Sequence, residues 1–208
     1  MGRTRIKICG ITSADDGRLA VEAGADAIGL VFHPDSPRAV SVGQAAGICA
    51  ELPAFVSAVG LFVDPDGKQV TNALSGCPLD ILQFHGHESP EFCAGFGRRY
   101  LKAVRMGTGT DLENLAARYG GRRLLLDAYV PGQAGGTGET FRWSLIPGDL
   151  APEMVLAGGL TPANVVEAVR TVRPFALDVS SGVEERHGVK SAERLEAFVQ
   201  GVRDADNR

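Results

Sequence analysis

The chain has 208 residues, 44% hydrophobic and 22% charged, with a net charge of -4, an ordinary globular composition with length enough for one well-buried core. The absence of a lysine/arginine block argues against nucleic acid or an anionic membrane surface as the main partner, and leaves room for a small anion held by local dipoles. No apolar stretch approaches the roughly 20 residues of a membrane span, MGRTRIKICG is too short in its apolar part for a signal peptide, and Cys9, Cys49, Cys77 and Cys93 form neither a C-x-x-C pair nor a zinc spacing, so a reduced cytoplasmic protein is expected.

Two textures alternate along the chain. RIKICGI opens it as a β-rich apolar run, followed by a helical pattern over Ala14–Ala25 that puts Leu19, Ala20 and Ala23 on one side. AIGLVF, FVSAVGLFV, DILQFHG, YLKAVRM and RLLLDAY follow, several almost continuously apolar, as strands buried on both faces should be. The segment after RLLLDAY has room for little more than a helical turn near Ser144–Ile146. EMVLAGGL precedes a helix over Pro162–Val172, with Thr161 as N-cap and Pro162 at the first helical position. FALDVSSG is the eighth run, and Ser191 caps a last helix carrying Leu195, Phe198, Val199 and Val202 on one face. Eight strands alternating with helices imply parallel pairing with right-handed crossovers. The expected architecture is a single-domain α/β protein, a (β/α)₈ TIM barrel spanning residues 1–208. The barrel is favoured over an open sheet because polar and glycine-rich residues follow the strands all round, where an open sheet would gather them at one switch point.

The C-terminal strand ends are where such barrels keep their chemistry. Gly158-Gly159 follows strand seven, and Ser180-Ser181-Gly182 follows strand eight. Backbone N–H groups there can converge on a phosphate, helped by a short helix starting after Gly182. The plainer alternative is that these glycines only turn the chain. Cys9 ends strand one, and the leucines 124–126 run into Asp127 at the end of strand six. A thiol and a carboxyl across one mouth can act as base and acid. The reference values run the wrong way, about 8.5 for Cys and 3.9 for Asp, so the thiol needs a cation and the acid needs desolvation. Lys7 and Arg38 are the available cations, and strand alternation points Lys7 and Cys9 to the same side. Equally, Cys9 can be a small buried hydrophobe and Asp127 a rim cap or ion-pair partner. Arg38 suits a planar carboxylate but, taken alone, reads as a solvated surface arginine. His85 and His87 lack a third ligand at metal spacing, so no metal is expected. Cys49, Cys77 and Cys93 read as packing residues, as do the aromatic pairs Phe96/Tyr100 and Phe141/Trp143.

These residues converge on a family. KICGI at Lys7–Ile11, GLVFHPDSPR at Gly29–Arg38, VGLFV at Val59–Val63 and LQFHG at Leu82–Gly86 are followed by LLDAYVPGQAGGTGETFRW at Leu125–Trp143, LAGGLTPANV at Leu156–Val165 and LDVSSGVEERHGVKS at Leu177–Ser191. In this order, over nearly the whole chain, they resemble the phosphoribosylanthranilate isomerases of tryptophan biosynthesis; KICGI with D-x-x-x-P-G-x-x-G-G-T-G is the specific part. The resemblance implies that Cys9 is the general base and Asp127 the general acid of an Amadori rearrangement. It implies that Arg38 positions the substrate carboxylate, that Asp178 lies near the sugar hydroxyls, and that His85 matches a family histidine on the substrate side. Gly158, Gly159, Ser180, Ser181 and Gly182 would hold the 5-phosphate, with the Gly135 and Gly136 loop closing against it. It implies no metal and no organic cofactor, because the iminium nitrogen is the electron sink. The implied partner is a phosphorylated small molecule, with the chain a monomer or homodimer. Two alternatives are a histidine-pathway aminoaldose isomerase and a non-catalytic phosphometabolite-binding barrel. The first resembles this chain in fold but carries an aspartate where Cys9 stands, and the second needs neither Cys9 nor Asp127.

Overall fold

A computed structural model describes residues 3–107, 109–120, 124–128 and 142–207. Eight parallel strands close into one barrel in chain order. They are β1 (Arg5–Cys9), β2 (Ala27–Val31), β3 (Ser57–Phe62), β4 (Ile81–Phe84), β5 (Arg99–Met106), β6 (Leu124–Ala128), β7 (Val155–Leu156) and β8 (Ala176–Val179). Closure is made by β1, which pairs with β2 on one side and β8 on the other. The helices are α1 (Ala14–Ala23), α2 (Val42–Ala50), α3 (Gly67–Gly76), α4 (Pro90–Ala94), α5 (Leu112–Tyr119), α6 (Val165–Val172) and α7 (Ala192–Asp206). Between β6 and β7 the described residues hold only single 3₁₀ turns, at Trp143–Leu145 and Ala151–Glu153, which agrees with the short turn expected near Ser144–Ile146.

Strand alternation sorts the side chains into two cores. Ile6, Ile8, Ile28, Leu30, Leu82, Phe84, Leu124, Leu126 and Leu177 pack outward in the large cluster shared with the helices. Ala103, Leu125, Val155, Ala157 and Ala176 form a small apolar plug inside the barrel. Each of Leu124, Leu125 and Leu126 is fully buried, and such burial is worth about 1.5–3 kcal/mol per side chain. The leucine run therefore anchors β6 on both faces, and Asp127, next in the inward row after Leu125, rises above the plug. Phe84, Phe92, Phe96 and Tyr100 pack against one another outside β4, so the Phe96/Tyr100 pair is core; Phe141 lies outside the described residues.

Three details depart from the sequence expectation. The seventh crossover helix starts at Val165, not Pro162. Asn164 is the reason: its Oδ1 accepts the N–H of Thr161 at 2.8 Å and its Nδ2 donates to the carbonyl of Gly159 at 2.9 Å. That side chain ties residues 161–164 into a turn before the helix can begin. The short helix placed after Gly182 is instead one 3₁₀ turn at Ser181–Val183, starting before that glycine. It leads into an antiparallel hairpin, β9 (Glu184–Arg186) and β10 (Val189–Lys190), that composition did not announce. Ser191 does cap α7, accepting from the N–H of Arg194.

Candidate active site

One cavity at the C-terminal mouth gathers the expected residues. Cys9, Arg38, His85, Asp127, Gly158, Gly159, Asp178, Ser180, Ser181 and Gly182 all line it. Gly135 and Gly136 lie outside the described residues. The turns after β7 and β8 are packed too closely for side chains. A Cβ on Gly158, whose φ is +82°, would sit 2.2 Å from the backbone nitrogen of Ala128, and one on Gly182 would sit 1.9 Å from the carbonyl oxygen of Leu160. Only glycine permits this approach. His87 takes no part: it is exposed and pairs with Asp64. Among the described residues no cluster of metal-ligating side chains occurs.

The β1 side of the mouth is dense with paired charge. The Lys7 ammonium donates to Asp178 Oδ1 at 2.7 Å, and both residues are buried. Lys7 and Cys9 do share the inward face of β1, as alternation required. Burial pushes the Cys9 thiol up, and Asp178 adds to that; Lys7 and then Lys190 pull it down, with burial the stronger. Lys7 itself loses charge stability through burial but is held above the ordinary lysine value by Asp178 and Cys9. Arg38 is not the solvated arginine its position alone suggested. Its Nε and Nη2 each donate to the Glu184 carboxylate at 2.7 Å, a bidentate pair. Lys190 Nζ completes the cluster, donating to Glu184 at 2.9 Å and to the carbonyl of Cys9 at 2.7 Å. Burial alone would push Glu184 up; Arg38 and Lys190 bring it below the usual carboxylate range.

The β6 side is built differently. Asp127 Oδ1 accepts the N–H of Ala128 at 2.9 Å, and its Oδ2 lies 3.1 Å from His85 Nε2. Behind the imidazole, Gln83 Nε2 lies 3.4 Å from His85 Nδ1. Gln83 is fully buried, and its Oε1 has no partner among the described residues. The loop that carries His85 is held from outside the barrel. Lys102 Nζ donates to the carbonyl of Gly86 at 2.6 Å and to Glu88 at 3.1 Å, while Glu88 accepts the backbone N–H groups of Asp64 and Gly86. Satisfied on all sides, this buried pair fixes the backbone from which the imidazole is aimed.

Comparison with known proteins decides the family. Residues 6–201 match the family described as N-(5'phosphoribosyl)anthranilate (PRA) isomerase. The isomerase of that name from Nitrosococcus oceani is 55% identical over 96% of this chain and 98% of its own length. That from Pseudomonas putida F1 is 52% identical over 99% of this chain and all of its own. The crystal structure of phosphoribosyl anthranilate isomerase from Thermotoga maritima superposes with a TM-score of 0.87 at 39% identity, covering 97% of this chain and 99% of that one. Another isomerase structure, bound to reduced 1-(o-carboxyphenylamino)-1-deoxyribulose 5-phosphate, matches with a TM-score of 0.84 at 38% identity over 97% of this chain and 99% of that one.

The chain belongs to the phosphoribosylanthranilate isomerase family.

Within this PRA isomerase, sequence reading missed Glu184 and Lys190 as cavity supports, and saw Gln83 only as one letter of LQFHG. Gln83 had a signal: its place in the inward row of β4, two residues before His85, puts an amide where the barrel wall should be apolar. Glu184 and Lys190 sit in VEERHGVK, which has the composition of a solvated turn. Nothing local marks them as buried.

Proposed function

We propose that this chain, an isomerase of that family, converts N-(5-phospho-β-D-ribosyl)anthranilate to 1-(2-carboxyphenylamino)-1-deoxy-D-ribulose 5-phosphate, with Asp127 as general acid and Cys9 as general base. The observation that carries this reading is that the two side chains open into one cavity, and that the glycine turns after β7 and β8 line the same cavity. Asp127 protonates the ribose ring oxygen. The ring C–O bond breaks toward that oxygen, and the anilino nitrogen lone pair forms the Schiff base. Cys9 then removes the C2 proton, giving an enolamine that tautomerises to the ketone. The iminium nitrogen takes the electrons, so the chemistry requires neither metal nor organic cofactor.

The other residues bind and orient. Gly158, Gly159, Ser180, Ser181 and Gly182 surround the phosphate. Asp178 meets the sugar hydroxyls. Glu184 occupies one edge of the Arg38 guanidinium, so the substrate carboxylate docks on the remaining Nη1 end. The working partners are this phosphorylated small molecule and at most a second copy of the chain; the relative from Thermotoga maritima is described as dimeric. The described helices include none long and apolar enough to cross a membrane; the free thiols of Cys9, Cys49, Cys77 and Cys93 support a cytoplasmic site for the reaction.

A coupled assay from anthranilate and phosphoribosyl pyrophosphate tests the assignment. Asp127→Asn and Cys9→Ser should each lose about 10²–10⁴-fold in kcat while circular dichroism stays that of the parent. Near-parental turnover in both variants would remove these roles.

A further inference from the structure

The reading of Asp127 as the acid raises a supply problem. A carboxyl that gives its proton to the substrate must be reloaded at every turnover, and an imidazole against it is a side chain able to hold that proton. The structure sets an imidazole against Asp127 and a buried amide against that imidazole. Because Asp127 Oδ1 already accepts the N–H of Ala128, a proton on this carboxyl belongs on Oδ2, the oxygen that faces His85 Nε2 at 3.1 Å.

Gln83 closes the chain. With its Nε2 toward His85 Nδ1, the ring nitrogen is an acceptor, and Gln83 Oε1 is left buried without a partner among the described residues. A half-turn of the amide exchanges its two ends. The carbonyl then accepts an Nδ1–H, which is the arrangement an imidazolium needs. Other ionisable groups lining the cavity are His33, which lies near Asp35; Arg105, level with Asp127 on β5; and Arg38 and Asp178, which with Cys9 belong to the β1 side. Among the described residues, none of these forms an ion pair with His85 or Asp127.

We propose that His85 and Gln83 are positioning residues that hold the proton Asp127 delivers. The rest state pairs a His85 imidazolium with an Asp127 carboxylate, with the Gln83 carbonyl on Nδ1–H. In the transfer, the Nε2–H bond breaks as an O–H bond forms on Asp127 Oδ2. That O–H bond breaks as the ring oxygen takes the proton and keeps the electron pair of the cleaved ring C–O bond. His85 is left neutral and Asp127 ends as a carboxylate. Two lone pairs then face each other across the Nε2–Oδ2 contact, so before the next turnover the pair takes up a proton from solvent and Cys9 releases the C2 proton to solvent.

The test has two arms. In protein carrying ¹⁵N-labelled histidine, with the His85 signals assigned by their loss in His85→Asn, both ring nitrogens of wild-type His85 should read as protonated at about pH 7, and Gln83→Met should convert the ring to a neutral tautomer. A neutral His85 spectrum in the wild type overturns the proposal, as does a ring that stays protonated on both nitrogens in Gln83→Met. In the kinetic arm, His85→Asn keeps a hydrogen-bond donor toward Asp127 but cannot store a proton. Its kcat should fall about 10–100-fold near pH 7.5 and climb about tenfold per unit toward acid, where the wild-type profile is level. KM should stay within about threefold. A variant profile parallel to the wild type overturns the relay. The spectroscopic arm needs no turnover, so it decides the relay by itself, whereas an inactive wild type would count against the assigned reaction alone.

Discussion

The two sides of the cavity mouth are built for opposite tasks. On the β1 side, Lys7, Asp178, Arg38, Glu184 and Lys190 are all buried and all paired. On the β6 side stands one chain of amide, imidazole and carboxyl, with one acceptor oxygen left over among the described residues. Fixed cations beside Cys9 favour a negative sulfur and a bound carboxylate. A chain of titratable and rotatable groups beside Asp127 favours keeping and moving a proton. Charge on the first side is stationary; on the second it is mobile. The Arg38, Glu184 and Lys190 cluster of the first side should therefore fail mainly through stability, and the second side mainly through rate.

The largest expected break in that comparison is Glu184→Ala. It leaves Arg38 and Lys190 buried, at 9% and 3% exposure, without their shared anion. Removing one partner from a buried ion pair costs about 3–5 kcal/mol, and urea denaturation should show a loss of that order. On the other side, His85→Asn should cost no more than about 1 kcal/mol, since it removes one half-buried hydrogen-bonded group. Equal losses at the two positions would abolish the distinction between a stationary and a mobile side.

Lys7→Met is the next test. Lys7 is the stronger of the cations that pull the Cys9 thiol down against burial. Without it the thiol should ionise at higher pH. Alkylation of Cys9 by iodoacetamide should therefore shift its midpoint upward, with kcat down about tenfold at neutral pH. An unmoved midpoint would mean that Lys7 serves only to pair Asp178.

What the sequence revealed and hid follows the same division. The barrel was legible because strand texture is local: ILQF, RLLLDAY and FALDV each announce burial on both faces without reference to any partner. Cys9, Asp127 and the GG and SSG turns were legible because strand ends in a barrel converge by topology. Glu184 and Lys190 were not, because burial of a charge is decided by closure. Glu184 lies 146 residues from Arg38, and within VEERHGVK the charges of Glu184 and Lys190 turn inward only once β9 and β10 bring them against Arg38 and the carbonyl of Cys9. The early start expected for α6 failed for a related reason. Thr161 and Pro162 form a good local helix signal, but Asn164 spends its side chain on Thr161 and Gly159, holding the turn beside the cavity in place of a first helical turn. His85 was legible as a residue and not as a role, since Asp127, 42 residues further along the chain, meets it only in space.

The smallest effect sharpens the comparison through acid titration. Burial pushes the Glu184 carboxyl up, but Arg38 and Lys190 outweigh it and leave the group below its unfolded value of about 4.5. A carboxyl depressed on folding adds stability above its unfolded value and loses it as pH falls through the folded one. Glu184 therefore stabilises the protein fully at neutral pH, and that contribution drains away below about pH 4.5. Glu184→Gln keeps an acceptor for Arg38 but has no proton to gain. Its stability at pH 7 should be lower than that of the parent, and the gap should narrow as the acid limb is descended in a urea series. A gap of constant size from pH 7 to about pH 3.5 would mean that Glu184 acts as a hydrogen-bonding spacer, and that the stationary charge of the β1 side is carried by Lys7 and Asp178 alone.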